Sequence, residues 1–214
     1  MAQRGKAALK FKGIRKTGDG THIFRYDLDY IAEDGRNKKY EIVSRDPNIT
    51  RLEELQNWHS KTVTLICIST DNTRILLSRE YRMAVGDWIY NFPSGIIDPG
   101  ELPTQAAARE LKEETGLTLV KRIVRLRSSY NAPGLTNETT SVVIGLADGE
   151  IGKSTSSFEE IRARWFTKDE VRQILKKQKM TARAQLFCFT WAYGDMSIEK
   201  LAEESDDYDE GHLW

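Results

Sequence analysis

At 214 residues the chain suits one large domain, or a domain with an appendage, around a full hydrophobic core. Lys+Arg and Asp+Glu both number 32, so no net field favours nucleic acid or an anionic membrane as a partner. Cys67 and Cys188 lie in apolar segments and read as small buried residues, with no disulfide framework. No apolar run approaches the length of a membrane span, and the opening MAQRGKAALKFKG lacks the apolar centre of a signal peptide, so the expectation is a cytoplasmic protein. Charge is uneven at the ends. Residues 1–16 carry six basic residues and no acidic one, while 201–210 are dominated by Glu and Asp, and both runs read as solvated tails.

In chain order, residues 11–45 read as a β meander. His22 to Tyr30 alternates with period two, Ala32 to Asn37 supplies an Asp-Gly turn, and Lys39 to Val43 continues as a strand. A short helix is expected around Leu52 to Trp58. Thr62 to Ser69 is a near-continuous apolar run, hence a strand buried on both faces. Asp71-Asn72 turns the chain into the strand Arg74 to Tyr81, and Trp88 to Phe92 leads to Pro93-Ser94-Gly95. Pro103 fits the first turn of a helix that Gly116 ends, although Leu102 is a poor N-cap. Lys121 to Tyr130 and Thr139 to Ala147 are expected strands, Gly149 to Ser157 a mobile loop, and Ile161 to Phe166 a strand. Thr167 to Glu170 is a capping box opening a helix to about Gln178. A last helix, Ala182 to Tyr193, is expected to pack Leu186, Phe187, Phe189, Thr190 and Tyr193 into the core. The sum is an α/β fold, an α/β/α sandwich around a mixed sheet. It divides into an N-terminal antiparallel β region over 1–60, a main domain over 61–195 and an acidic tail over 196–214.

The chemical content concentrates between Gly95 and Leu117. If Pro103 to Thr115 is helical, Glu110, Glu113 and Glu114 stand at i, i+3 and i+4 and share one face, with Ala107 and Leu111 forming a separate apolar stripe. Three acids on one face repel by a few tenths of a kcal/mol per pair, roughly, which stabilises nothing unless a cation joins them. Oxygen donors without His or Cys favour a hard ion such as Mg²⁺ or Mn²⁺. The plain alternative is a solvated acidic helix face.

The full pattern, G-x5-E-x7-R-E-L-x-E-E-x-G-L, is matched at every specified position and resembles the Nudix box, the signature of hydrolases that cleave nucleoside diphosphates linked to another moiety. The resemblance covers roughly Lys61 to Tyr193 and implies the same sandwich fold. It implies Glu110 and Glu114 as principal metal ligands, with Glu113 sharing a metal and the Ser94 backbone carbonyl as a further ligand. It implies Gly95, Glu101 and Gly116 as structural positions, with Glu101 and Arg109 orienting the acids, while Arg109 would equally serve as a structural ion-pair partner for Glu113 four residues on. A catalytic base or further ligand is expected in the loop before the last strand, at Glu159 or else Glu160. Ser157 stands where some relatives carry an additional acid.

Pro133, sixteen residues after Leu117 in Ala132-Pro133-Gly134-Leu135-Thr136, resembles the ADP-ribose pyrophosphatase branch. The segment Lys39 to Arg45 resembles the part of that branch that supplies a stacking aromatic and an arginine. The match points to Tyr40, Glu41 and Arg45, with Phe24 as another stacking candidate, although sheet packing would equally account for both aromatics. Arg82 resembles the phosphate-contacting arginine, whose planar fork can grip a phosphate bidentately, and Glu138 is a further loop carboxylate. Branch members form homodimers in which the N-terminal region helps line the partner's site. The implied reaction is metal-dependent hydrolysis of ADP-ribose to AMP and ribose 5-phosphate. Another nucleoside diphosphate sugar, such as GDP-mannose or UDP-glucose, is the nearest alternative. A non-catalytic nucleotide sensor is a third reading, against which the box keeps all its acids. His22, His59 and His212 show no ligand spacing.

Overall fold

The computed structural model describes residues 8–56, 59–155, 159–194 and 196. Trp58, Ser157, His212 and nearly all of the expected acidic tail lie outside them. The chain forms two compact units, one of residues 1–60 with Ser129–Thr140, the other of Lys61–Ser128 with the remainder.

In the first unit β1 (Lys10–Asp19), β2 (Phe24–Ile31) and β3 (Asn37–Ser44) make an antiparallel sheet in the order β1-β2-β3. The expected Asp-Gly turn closes β2 onto β3. Gly35 there takes φ 82°, which a side chain would resist. The core is small: Tyr26, Leu28, Ile42 and Ile49. Tyr26 is buried, so its hydroxyl needs partners; it donates to the Asp46 carbonyl at 2.7 Å and accepts from the Ile49 N–H at 3.3 Å. The expected short helix is α1 (Leu52–Leu55). Residues 129–140 join this unit through the backbone. Val43 N–H donates to the Leu135 carbonyl at 2.9 Å, and Val43 bridges Thr136 in parallel.

The second unit is built on β4 (Thr62–Ser69), β5 (Arg74–Arg82), β6 (Asp87–Asn91), β7 (Ser94–Ile96), β8 (Thr118–Tyr130), β9 (Thr139–Asp148) and β10 (Ile161–Thr167). Their order is β10-β5-β4-β9-β8, with β6 added to β5 and β7 to β4. Because side chains alternate along a strand, β4 shows how both faces are covered. Val63, Leu65 and Cys67 pack with Ala106, Ala107 and Leu111 of α2 (Pro103–Thr115). Ile66 and Ile68 pack with Val171 and Ile174 of α3 (Lys168–Lys177) and with Cys188 and Trp191 of α4 (Ala182–Tyr193). The expected α/β/α sandwich is therefore the fold. Two buried faces explain why β4 reads as continuous apolar sequence.

The caps follow local chemistry. Thr167 and Glu170 form the expected box: the Glu170 carboxylate accepts from Thr167 N–H at 2.9 Å, and the Thr167 hydroxyl accepts from Glu170 N–H at 3.4 Å. Leu102 offers no cap of its own, and Gln105 compensates by accepting from the Leu102 N–H at 2.9 Å. Gly116 ends α2 at φ 77°. The loop expected to be mobile is tied at Gly152 and Thr155. Gly152 N–H donates to the Thr115 carbonyl at 2.8 Å and Thr155 N–H to the Glu113 carbonyl at 2.9 Å, satisfying carbonyls that the helix end leaves open.

One core assignment is overturned. In α4 the buried residues are Ala184, Cys188, Trp191 and Ala192, spaced i, i+4, i+7 and i+8. Leu186, Phe189 and Tyr193 are 70%, 56% and 49% exposed. The helix is apolar nearly all round, so hydropathy could not choose its inward face. The small residues at 184, 188 and 192 let it lie close to the sheet, with Trp191 filling the space. Trp191→Ala is accordingly expected to cost about 3–5 kcal/mol. Phe189→Ala, at a surface position, should cost within about 0.5 kcal/mol. Urea unfolding of the two variants measures the difference, and equal losses would refute this packing.

Candidate active site

The site in the second unit is assembled from β5, β6, β7, α2 and the segment entering β10. β7 pairs with β4 through Val63 opposite Gly95 and Thr64 opposite Ser94, which fixes the start of the box at the sheet. The helix that follows lays Ala106, Ala107 and Leu111 on the sheet. Glu114 comes seven residues after Ala107, two helical turns on, so it is turned to the same buried side. It is buried, whereas Glu113 is exposed. The acids therefore do not stand apart from the apolar stripe as expected. Glu114 is part of it, Glu110 borders it, and Glu113 faces outward.

That burial has an electrostatic consequence. Desolvation, reinforced by the negative charges of Glu110, Glu80 and Glu159, pushes the Glu114 carboxyl up to about 9. The Ser94 backbone N–H opposes this by reaching the carboxylate. Glu110 is also raised by burial, with Arg109 opposing. Gly95 makes room for the pair, because a Cβ there would land on the Glu110 carboxylate.

Arg109 is the cation among these acids. Its Nε and Nη2 donate to the two oxygens of Glu101 at 3.0 and 2.9 Å, a bidentate fork. Nη2 also donates to the Ile96 carbonyl and Nη1 to Glu110, each at 2.8 Å. Its contact with Glu113 is longer, at 3.4 Å. The Arg109 guanidinium in turn holds the Glu101 carboxyl below its ordinary range. Glu101, bonded as well to the Asp98 N–H at 3.0 Å, thus ties the box loop to the helix.

Glu80 and Asn91 belong to this neighbourhood and were not singled out in the sequence. Glu80 is buried on β5 and accepts from Arg82 Nε and from Asn91 Nδ2, both at 3.0 Å. A signal was present: residues 76, 78 and 80 share one strand face, so a carboxylate following Leu76 and Ser78 points inward.

The donor set is oxygen only, and its charge exceeds what Arg109 and Arg82 balance. It fits a hard divalent cation. Among the described residues no three His, Cys, Asp or Glu side chains already close on one point as a metal cluster.

Tyr40, Glu41, Arg45, Phe24 and Glu138 sit in the first unit. Tyr40 donates its hydroxyl to the Gly134 carbonyl at 2.8 Å, and Arg45 Nε donates to Glu138 at 2.8 Å, so β3 and the Pro133 loop are laced together. Tyr40, Tyr30, Tyr130 and Pro133 line a largely apolar cavity of about 550 Å³. Glu41 projects to the opposite face of β3 from Tyr40 and pairs with Arg25 at 2.6 Å. Phe24 packs beside the small core with Lys16 over its ring at 5.4 Å. In the second unit Arg82 and Glu160 are exposed, and the Glu160 carbonyl accepts from Tyr81 N–H at 3.1 Å. His22 and His59 are exposed.

Residues 58–187 match the family model described as the NUDIX domain. The chain belongs to the Nudix family. The chain is similar to an ADP-ribose pyrophosphatase of Bacillus subtilis, with 31% identity over 58% of this chain and 59% of the relative. Similarity to an ADP-ribose pyrophosphatase of Mycobacterium tuberculosis is 33% identity over 48% of this chain and 49% of the relative. A solved structure described as an ADP compounds hydrolase shares the Nudix fold at a TM-score of 0.63, with 17% identity over 86% of this chain and 92% of that one. The matches span from a third to three-fifths of the length of the curated relatives. No helix among the described residues is long and apolar enough to cross a membrane.

Proposed function

We propose that this Nudix chain is a cytoplasmic hydrolase of nucleoside diphosphate sugars, dependent on Mg²⁺ or Mn²⁺, that converts ADP-ribose to AMP and ribose 5-phosphate. The observation carrying the hydrolytic reading is the burial of Glu114 beside Glu110, with Glu159 near enough to raise both carboxyls. Carboxylates so placed are stabilised by a multivalent cation and by little else. Glu110 and Glu114 would hold it, with Glu113, Glu159 and the Ser94 carbonyl as further donors. When bound, the cation supplies charge neutralisation at the pyrophosphate and makes water more acidic.

The chain's own residues do the rest. Arg109, held by Glu101, keeps Glu110 turned toward Glu114. Arg82 binds a phosphate through its terminal nitrogens. Glu159, or Glu160 after it, takes a proton from the attacking water as its oxygen bonds to one phosphorus, the bond from that phosphorus to the bridging oxygen breaks and the other phosphate leaves with that oxygen. In the first unit Tyr40, Arg45 and Glu138 bind the nucleoside end, and the apolar cavity beside Pro133 suits a base better than a second phosphate. Glu41 and Phe24 are assigned less direct parts there, given Arg25 on one and core packing on the other. Among the described residues the first unit buries four hydrophobic side chains in its core, few for a unit that stands alone. That favours a homodimer in which this unit serves the partner's site; a one-chain mass by light scattering would remove that element.

The substrate is tested by a panel of ADP-ribose, GDP-mannose and UDP-glucose, with released monophosphates detected after phosphatase treatment. ADP-ribose is expected to lead in kcat/KM, as the names of the similar relatives suggest. A preference for another sugar nucleotide would leave the chemistry intact and overturn the part assigned to Pro133 and β3.

A further inference from the structure

Arg82 stands at the end of β5 with its side chain about half exposed, while Glu80, two residues earlier, is buried on the same strand face. One oxygen of Glu80 takes both Arg82 Nε and Asn91 Nδ2, each at 3.0 Å. The Asn91 side-chain oxygen Oδ1 accepts in turn from the Thr181 hydroxyl at 2.9 Å, and Thr181 is the residue capping α4. A chain of hydrogen bonds thus runs from the start of α4 through the sheet to the guanidinium. We infer that Glu80 is a positioning residue: it holds Arg82 by Nε so that both terminal nitrogens point outward as a phosphate clamp.

Arginine has a long side chain whose rotamer freedom costs binding energy when a ligand must immobilise it, on the order of 1 kcal/mol. Securing Nε beforehand removes much of that cost and leaves the flat edge of the guanidinium for a bidentate contact. A buried carboxylate is itself costly, so its retention at position 80 needs partners, and Arg82 and Asn91 provide them. Beside this network the Ser78 hydroxyl is buried and has no hydrogen-bond partner among the described residues, opposite Asn91 in the strand register.

This inference rests on the hydrolase reading for its substrate but not for its test. Binding of α,β-methylene-ADP is measured by calorimetry in EDTA, so that neither metal nor turnover enters. Wild type, Glu80→Gln, Arg82→Ala and the double variant are compared, with circular dichroism to confirm folding. Glu80→Gln is expected to weaken binding about 5–10-fold and Arg82→Ala about 30-fold. The double variant should be no weaker than Arg82→Ala alone, because the effect of Glu80 passes through Arg82. With a substrate that is turned over, Glu80→Gln should raise KM. Additive losses in the double variant, or a fall in kcat at unchanged KM, would overturn the assignment. If no substrate is turned over by wild type but the binding cycle is non-additive, the hydrolase reading fails and the positioning role stands.

Discussion

Replacing Glu114 with Gln is expected to lower kcat on the preferred substrate by about 10³-fold or more, equivalent to roughly 4 kcal/mol of barrier, with the fold intact by circular dichroism. The same variant is expected to be more stable than wild type when divalent ions are removed at alkaline pH. Burial and three neighbouring carboxylates push the Glu114 carboxyl up to about 9 from an ordinary 4.5. A carboxyl raised in the folded state is protonated there while its unfolded counterpart has ionised. Stability is fully present below pH 4.5 and is lost as pH rises through about 9. Gln carries no such penalty. A bound cation should offset the penalty in wild type: at about a hundred times its dissociation constant it would raise Tm by roughly 5–10 °C. Thermal melts at pH 8 with EDTA, Mg²⁺ or Mn²⁺ give all three comparisons. A Gln variant whose Tm still responds fully to the metal, or that still turns over, would remove Glu114 from the ion site.

Gly95→Ala separates folding from catalysis in the opposite way. The glycine has no left-handed backbone to protect, unlike Gly116 at φ 77°. What alanine would strike is the end of the Glu110 side chain, which can swing aside. Stability should therefore change by less than about 1 kcal/mol. Glu110 would leave its position beside Glu114 and Arg109, and kcat/KM should fall by at least about 10²-fold. Adding Glu110→Ala to Gly95→Ala should produce little further loss, since the carboxylate is already displaced. A fully active Gly95→Ala protein would show that Glu110 is not needed where it stands.

The elements were legible where local chemistry decides. Pro103, Gly116, the Thr167–Glu170 box and the apolar run of β4 each determine an end or a face from a few residues, and the structure agrees with them. Legibility failed where several faces were equally apolar. In α4 the aromatic residues suggested the core, yet the small residues and Trp191 are inside, because close helix-to-sheet packing selects for shape over hydropathy. It failed also where function depends on residues distant in sequence. Glu80, Asn91 and Thr181 form one hydrogen-bonded chain although they come from β5, β6 and the cap of α4. No spacing rule joins them, since only strand register brings Asn91 opposite Ser78.

The sequence by itself determined the family, through nine spaced positions from Gly95 to Leu117, and the residue types that a hard cation requires. That information is local, because a helix converts spacing directly into angle. Tertiary structure alone decided which of those acids is buried. Docking α2 on the sheet through Ala107 and Leu111 turns Glu114 inward and Glu113 outward, and burial is what separates a carboxylate that needs a cation from one that water already satisfies.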